Sequence, residues 1–307
     1  MSGRKQRALY SIGAASRRAG VSEHAIRVWE HRYGAVEPVR SGGNHRRYSE
    51  AQVRRLWLLR TAQSTGSSIA EIARMSDEEL ESLVTSIGEA RGQGVAATVV
   101  ACNDAVDRLD PWCLTDTLRT AIGAYGYVAV VDGVLGPVMR RVGDRWQAGQ
   151  CGPEHEHLAS ATFRTFLGAA LTSQTAPPSS PTLVAATFES EHHEFGTLAA
   201  AVVAGVEGWR VAYLGPNSPP DGIAHVAAAH AASAIAIGMT CELEDDYLRR
   251  ALAELEARRE VAPPIICGGI GAARARTLIT SRGAMVVASV RELAQRLNEI
   301  RNGGAQL

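Results

Sequence analysis

The stretch TLVAATFESEHHEFG, residues 182–196, decides the fold of the C-terminal part of the chain. It opens with a run of almost continuous apolar residues, which is typical of a strand buried on both faces of a sheet. A polar loop follows, with two adjacent histidines among glutamates, and this loop ends at Gly196. These residues predict a buried strand, a loop at its carboxyl end and a helix that begins near residue 196.

Four more apolar runs follow the first, and helical stretches separate them. The runs are RVAYLG, SAIAIGM, PIICGG and AMVVAS, with helices expected near 196–207, 219–232, 244–259, 271–281 and 290–301. Strands joined by helical crossovers predict an open parallel α/β sheet, either Rossmann-like or flavodoxin-like. Such sheets bind ligands at the carboxyl ends of their strands, where the loops ESEHHEFG, GPNSPP, GMTCE and CGGIGA are expected to meet.

The middle of the chain is mostly helical in its period. Four segments between residues 95 and 171 read as amphipathic helices with short links, which predicts a four-helix bundle. Pro111 and Pro153 suit first-turn positions of two of these helices. The stretch LTSQTAPPSSP, residues 171–181, is the clearest linker. We therefore expect a multi-domain α plus α/β chain divided into residues 1–80, 81–175 and 180–307.

Charge is distributed unevenly along a chain of 307 residues whose net charge is zero. Residues 1–60 carry 13 Lys and Arg against four acids, so this head has a charge of +9 and the rest −9. A basic head on an acidic body is typical of a protein that binds a polyanion such as DNA, although a merely solvated basic face is the alternative.

Composition narrows the class of protein further. A hydrophobic fraction of 46% with 21% charged residues indicates a globular chain, and no apolar run is long enough to span a membrane. The five cysteines form no CxxC pair, which favours free thiols in a reducing compartment. No signal peptide is evident, and we expect a cytoplasmic protein.

The basic head has the pattern of a helix-turn-helix. In YSIGAASRRAGVSEHAIRVWEHRYG, Gly20 ends a first helix and Ser22 caps a second, which would present His24 and Arg27 to the major groove. The following stretch, RSGGNHRRYSEAQVRRL, places a Gly-Gly turn rich in basic residues before another helix, like a wing that contacts phosphates.

Together these two stretches resemble the winged helix-turn-helix of the MerR family of transcription regulators over about residues 8–78. The resemblance implies that double-stranded DNA is a partner and that these residues lie at the DNA surface: His24, Arg27, Arg40, Asn44, His45, Arg46, Arg47 and Tyr48. MerR-type proteins usually continue into a long dimerisation helix. Here we expect that helix to break at Gly88, Gly92 and Gly94, so that dimerisation is arranged in another way.

The spacing of the C-terminal loops carries a second resemblance. Glu191, His193 and Gly196 are followed after 41 residues by Gly238 and Thr240, and after 27 more by Gly268-Gly269. This pattern is similar to the signature of the cobalamin-binding domains of methionine synthases and related mutases, with Glu191 for the usual Asp and Gly238 for the usual Ser. It implies that His193 is the lower axial ligand of cobalt and that Glu191 fixes its tautomer.

The glycines of this pattern would remove side chains where the displaced nucleotide tail of the cofactor passes close to the backbone. The predicted cofactor-binding residues of this region are Glu191, His193, Gly196, Gly238, Thr240, Gly268 and Gly269. Without the downstream spacing, either histidine of the loop would be read as a solvated residue between a strand and a helix.

Trp146, Glu156 and His157 add a third pattern in the bundle. Taken alone, Trp146 would be read as core packing and Glu156 as a favourable charge at a helix N-terminus. Cys151, His155 and His157 do not have the spacing of a familiar zinc site. With the head and the cobalamin pattern, however, the spacing Trp-x9-Glu-His resembles the CarH/LitR family of adenosylcobalamin-dependent, light-responsive repressors.

That resemblance implies adenosylcobalamin as cofactor, with Trp146 over its upper face and with Glu156 and His157 against the adenosyl group. It also implies a dimer or tetramer that binds DNA in the dark and is released by light. Some members place a histidine directly after the tryptophan, and this chain has Gln147 there. A light-independent cobalamin sensor, a regulator of another tetrapyrrole and a corrinoid methyl carrier remain the alternatives. We expect no enzymatic activity.

Overall fold

The computed structural model describes residues 10–40, 45–63, 67–257 and 263–303. The chain forms two compact units, residues 1–94 and residues 95–307. The predicted bundle and the predicted sheet therefore belong to one unit, and the head forms the other. The boundary near residue 175 between bundle and sheet stays a prediction.

The first unit begins with a helix-turn-helix. Strand β1, Tyr10–Ser11, leads into α1, Ile12–Ala19, and α2 spans Glu23–Tyr33. Ser11 and Ser22 accept N–H groups of the first turns, and Gly20 ends α1 in the left-handed conformation at φ +67°. The predicted cap and stop residues thus set the turn between the two helices.

Strands β2, Val39–Arg40, and β3, Arg46–Tyr48, form the wing, and β3 lies between β1 and β2 in an antiparallel sheet. Helix α3 spans Glu50–Gln63, and α4 spans Ile69–Ile72. The apolar faces of the helices and strands of this unit form one hydrophobic core. Its largest fully buried side chains are Ile26, Tyr48, Leu56, Leu59 and Leu80.

Helix α5 corrects one expectation, because it runs without interruption over Asp77–Asp107, through all three glycines. Each glycine costs a helix only about 0.5–1 kcal/mol relative to alanine. Ser76 and Glu79 form a reciprocal capping box before the first turn, with N···O distances of 2.7 and 3.2 Å. The prediction of a break at these glycines was wrong, since a well-capped helix of 31 residues can absorb such local penalties.

In the second unit, α6 spans Pro111–Tyr125, α7 Tyr127–Val130, α8 Gly136–Gln147 and α9 Pro153–Ser173. A π-helical turn, Val131–Leu135, joins α7 to α8, so the predicted third helix is one continuous segment with a wider turn inside it. Pro111 and Pro153 stand in first turns as predicted. The buried faces of these helices form a core that also includes Leu198 and Val202.

The sheet has five parallel strands in the order β5-β4-β6-β7-β8. These are β4 Thr182–Phe188, β5 Arg210–Ser218, β6 Ala234–Gly238, β7 Ile265–Gly268 and β8 Met285–Val287. This is the flavodoxin-like order, the second of the two predicted alternatives. Strand β5 extends three residues beyond its predicted end at residue 215.

Helices cover both faces of the sheet. They are α10 Phe195–Val206, α11 Pro220–Ala229, α12 Asp245–Glu256, α13 Ile270–Arg274, α14 Arg276–Ser281 and α15 Val290–Arg301. The core on one face includes residues of α10 and α15, and the core on the other includes residues of α11, α12 and α14. Across the described residues, no helix has the length and apolar character needed to span a membrane.

Candidate functional site

The loop after β4 holds a buried carboxylate against an exposed imidazole. The side chain of Glu191 is fully buried, whereas that of His193 is 62% exposed. Glu191 Oε1 accepts from the backbone N–H of His193 at 2.9 Å and lies 2.7 Å from His193 Nδ1. Glu191 Oε2 accepts the backbone N–H groups of Thr240 and Cys241, both at 2.7 Å.

These four contacts fix the charge of the carboxylate and the tautomer of the imidazole. Burial alone would raise the pKa of Glu191, but the hydrogen bonds from Cys241, His193 and Thr240 outweigh it and lower the pKa below its usual value. A carboxylate at 2.7 Å requires the proton of His193 on Nδ1. The lone pair on Nε2 is thereby left free, and the carboxylate makes that nitrogen a stronger metal ligand.

A cavity of about 260 Å³ lies beside His193 at the carboxyl ends of β6 and β7. Six of the predicted cofactor residues line it, namely His193, Gly196, Gly238, Thr240, Gly268 and Gly269. The sheet edge therefore brings together loops that are far apart in sequence, as the spacing predicted.

The predicted glycines do not all serve the same purpose. A Cβ at Gly269, where φ is +105°, would lie 2.2 Å from the carbonyl oxygen of Met239. A Cβ at Gly238 would lie 1.8 Å from Thr197 Oγ1, whereas one at Gly196 would meet nothing within 4 Å. Gly269 is required by a close approach to backbone, Gly238 leaves room for the side chain of Thr197, and Gly196 faces open space.

Sequence reasoning missed several residues at this cavity. Thr197 is buried beside Gly238, and Asp132 and Arg140 line the cavity from the bundle. Cys241 Sγ lies 3.5 Å from His193 Nδ1, and burial with the nearby Glu191 charge raises the pKa of its thiol. Thr197 directly follows Gly196 in the chain, but the glycine pattern did not mark it.

Trp146, Glu156 and His157 lie elsewhere in the same unit and do not line the cavity in the described part of the chain. Trp146 is 51% exposed at the end of α8, so it is not a core residue. Its neighbour Arg145 pairs with Asp107 of α5, which fixes this end of α8.

Glu156 Oε2 lies 3.3 Å from His157 Nδ1 in the first turns of α9, and the His157 side chain is 77% exposed. Cys151, His155 and His157 do not form a metal-ligating group among the described residues. Glu191, His193 and Cys241 lie close enough together to hold an ion, with ligand atoms within 4.8 Å of one another.

The second helix of the head presents its predicted residues to solvent. His24 and Arg27 of α2 are exposed, and Arg27 pairs with Glu23 at 2.9 Å one turn earlier. This pair is half exposed and therefore holds the guanidinium only weakly.

The wing needs one correction. Tyr48 is fully buried and its hydroxyl donates to Glu30 at 3.3 Å, so its ring packs in the core of the head and not at the predicted DNA surface. Burial raises the pKa of Tyr48 to about 12. Arg46 also pairs with Glu30, at 2.9 Å. Of the other wing residues, Arg40 and His45 are exposed, Arg47 is half-buried, and Asn44 lies outside the described residues.

Comparison with known families assigns each part of the chain. Residues 10–79 match the model of the MerR HTH family of regulatory proteins. The head therefore has the helix-turn-helix of MerR-type regulatory proteins. Residues 101–170 and 181–298 of this MerR-type protein match two models described as B12 binding domains. It is therefore a transcription regulator with cobalamin-binding domains, as the sequence predicted.

Two relatives are similar to this chain along nearly their whole length. The HTH-type transcriptional repressor CarA of Myxococcus xanthus is 29% identical over 95% of this chain and 97% of its own. The HTH-type transcriptional repressor CarH of the same organism is 28% identical over 91% of this chain and 94% of its own.

Among solved structures, the monomethylamine corrinoid protein of Methanosarcina barkeri is similar in fold. Its TM-score is 0.51 at 18% identity, over 65% of this chain and 96% of that one. At this identity, the similarity concerns the fold alone.

The residues at the cavity suit a corrinoid. His193 offers an oriented imidazole nitrogen to a metal, and Gly196 leaves open space on the cavity wall. The buried hydroxyl of Thr197 has no hydrogen-bond partner among the described residues, so the cavity also offers an unused polar group.

Proposed function

We propose that this protein is a transcription repressor that binds adenosylcobalamin, with His193 as the lower ligand of cobalt. The observation that supports it most is the buried carboxylate of Glu191, held by four N–H groups, which aims His193 with Nε2 free beside the cavity. The lining glycines and Thr240 would receive the nucleotide tail displaced from the metal.

The upper face of the cofactor would meet the bundle. The exposed indole of Trp146 and the polar pair formed by Glu156 and His157 are free to contact the adenosyl group. Bound adenosylcobalamin would supply a cobalt–carbon bond that visible light breaks. Loss of the adenosyl group would remove the partner of these three residues, and Gln147 offers no imidazole to replace it.

DNA would be bound by the head, in a protein that acts in the cytoplasm. His24 and Arg27 would lie in the major groove, with Arg40, Asn44, His45, Arg46 and Arg47 toward the phosphates. Such phosphate contacts position the protein, whereas base contacts select the operator. The excess of nine positive charges in residues 1–60 supports this assignment.

Cofactor binding and DNA binding would be coupled through assembly. A ligand that binds the assembled state more tightly shifts the population toward a dimer or tetramer. Several basic heads held together then bind DNA more tightly than one head, because each raises the effective concentration of the next.

The alternatives differ in what they require. A methyl carrier has no use for a winged helix-turn-helix, which argues against it. A light-independent cobalamin sensor would keep every residue named at the cavity. A regulator of another tetrapyrrole would not need the spacing between His193 and the glycines.

The deciding experiment is gel filtration of the full chain, apo and loaded with adenosylcobalamin, before and after green illumination. Loading should shift the protein to a larger assembly, and light should reverse the shift. His193→Ala should abolish the loaded assembly. His192→Ala is the matched control, since this neighbour is exposed and should behave as the wild type.

Each outcome separates one alternative. If neither loading nor light changes the elution volume, the switch is refuted. If loading shifts it and light does not, the protein is a dark cobalamin sensor. If the dark visible spectrum of the mixture equals the sum of the spectra of apoprotein and free adenosylcobalamin, only another tetrapyrrole or none remains.

A further inference from the structure

Thr197 carries a buried hydroxyl that nothing in the described protein uses. It is the third residue of α10 and only 2% exposed, and its Oγ1 has no hydrogen-bond partner among the described residues. A threonine inside a helix commonly donates to a carbonyl of the preceding turn, and Thr197 does not. A buried hydroxyl without a partner is unfavourable, so it is expected to serve a ligand.

The position of this hydroxyl is tied to Gly238. A Cβ built at Gly238 would lie 1.8 Å from Thr197 Oγ1 and 3.2 Å from Thr197 Cβ. The side chain of Thr197 therefore occupies the space that any side chain at the end of β6 would need. Both residues line the cavity beside His193. The hydroxyl of Thr197 on α10 therefore lies at the end of β6, where Gly238 has no polar side chain of its own.

Other polar side chains at this cavity are less buried. Ser289 accepts the backbone N–H of Glu292 at 3.2 Å as a helix cap and is only half-buried. Arg140 and Thr240 are exposed. Among the described residues that line the cavity, Thr197 therefore has the buried hydroxyl that can donate to a ligand.

We propose that Thr197 donates a hydrogen bond to the ring nitrogen of the nucleotide base of cobalamin. This inference rests on the proposed function, because His193 frees that nitrogen by replacing it on cobalt. A benzimidazole nitrogen without its metal is an acceptor only, and a buried acceptor needs a donor. Thr197 is then a specificity-determining residue that selects corrinoids with a complete nucleotide tail.

The test compares two ligands on the full chain in the dark: adenosylcobalamin and adenosylcobinamide, which lacks the nucleotide. Thr197→Val removes the hydroxyl and keeps the shape. It should weaken adenosylcobalamin binding about 3- to 10-fold, the effect of one neutral hydrogen bond, and leave adenosylcobinamide binding unchanged. Thr197→Ser should retain wild-type affinity. Binding is read from the visible spectrum.

A second variant moves the hydroxyl to the strand. Gly238→Ser alone should not be accommodated, because Thr197 fills that space. Thr197→Ala combined with Gly238→Ser should recover the preference for adenosylcobalamin. Thermal unfolding of the apo Thr197→Val protein should occur at or above the wild-type temperature, because the hydroxyl has no partner to lose.

The inference is overturned if Thr197→Val binds adenosylcobalamin as tightly as the wild type. It is also overturned if both ligands are weakened equally, since Thr197 would then only shape the pocket. A wild-type chain that binds no cobalamin at all refutes the proposed function itself, which distinguishes the two failures.

Discussion

Replacing Glu191 by glutamine tests whether the buried carboxylate organises the site. Each of its oxygens accepts two N–H groups. An amide keeps one acceptor oxygen. With its NH2 group toward His193, only the backbone N–H of that residue loses its partner, because the imidazole can move its proton to Nε2 and accept at Nδ1. Hydrogen bonds to a charged group contribute about 1.5–3 kcal/mol each, so the one lost bond and the three that become neutral together cost about 3–6 kcal/mol.

The glutamine variant no longer buries a charge, and this gain offsets part of the loss. We therefore expect Glu191→Gln to destabilise the protein by about 2–4 kcal/mol, taking the offset into account. For a unit of this size, that lowers the unfolding temperature by about 5–15 °C. Thermal unfolding followed by circular dichroism measures it, with Glu189→Gln as the matched control because Glu189 is exposed in the same loop.

The pH dependence supplies an independent check. The pKa of Glu191 is lower in the folded protein than in the unfolded chain. Its stabilising contribution is therefore complete above the unfolded-state pKa of about 4.3 and is lost as the pH falls through the folded value. The difference in unfolding temperature between the wild type and Glu191→Gln should therefore become smaller in acid. The reasoning is refuted if the variant unfolds within about 2 °C of the wild type at neutral pH.

Three further outcomes follow from the same contacts. Gly269→Ala should destabilise the protein by about 1–3 kcal/mol in a thermal melt, because φ is +105° and the new Cβ would press on the Met239 carbonyl. Gly196→Ala should leave the unfolding temperature unchanged or raise it slightly, because Gly196 lies inside α10 and its Cβ would meet nothing. Arg27→Ala should weaken operator binding by about 1–3 kcal/mol and relax the base preference at one position, because Arg27 would lie in the major groove; titrations with the operator and with single-base variants of it measure both effects. Gln147→His should change the visible spectrum of the illuminated, cofactor-loaded protein, since it adds an imidazole next to Trp146; an unchanged spectrum would place residue 147 away from cobalt.

Local signals made much of this architecture predictable. Ser22 and Gly20 carry capping preferences that act within one turn, and both stand where the pattern placed them. The meeting of the loops at the sheet edge was equally predictable, because parallel strands bring their carboxyl ends together whatever the length of the connecting segments. His193 was found in this way from its distance to Gly238 along the chain.

What sequence did not give depends on contacts between distant residues. The role of Thr197 is visible only where α10 crosses the end of β6. Tyr48 was expected in the wing surface, but β3 alternates its side chains and this one turns inward onto Glu30. The three glycines of α5 lower local propensity, and capping with packing overrides that penalty.

The π-helical turn Val131–Leu135 determines the direction in which the side chains of α8 point around the helix axis. A π turn holds one residue more than an α turn, and each residue of an α-helix advances the chain by about 100° around the axis. If the same residues formed a regular α turn, Trp146 would be rotated by about 100° around the helix axis, slightly more than a quarter of a turn. The direction in which the indole points therefore depends on the wide turn that ends at Leu135, eleven residues upstream.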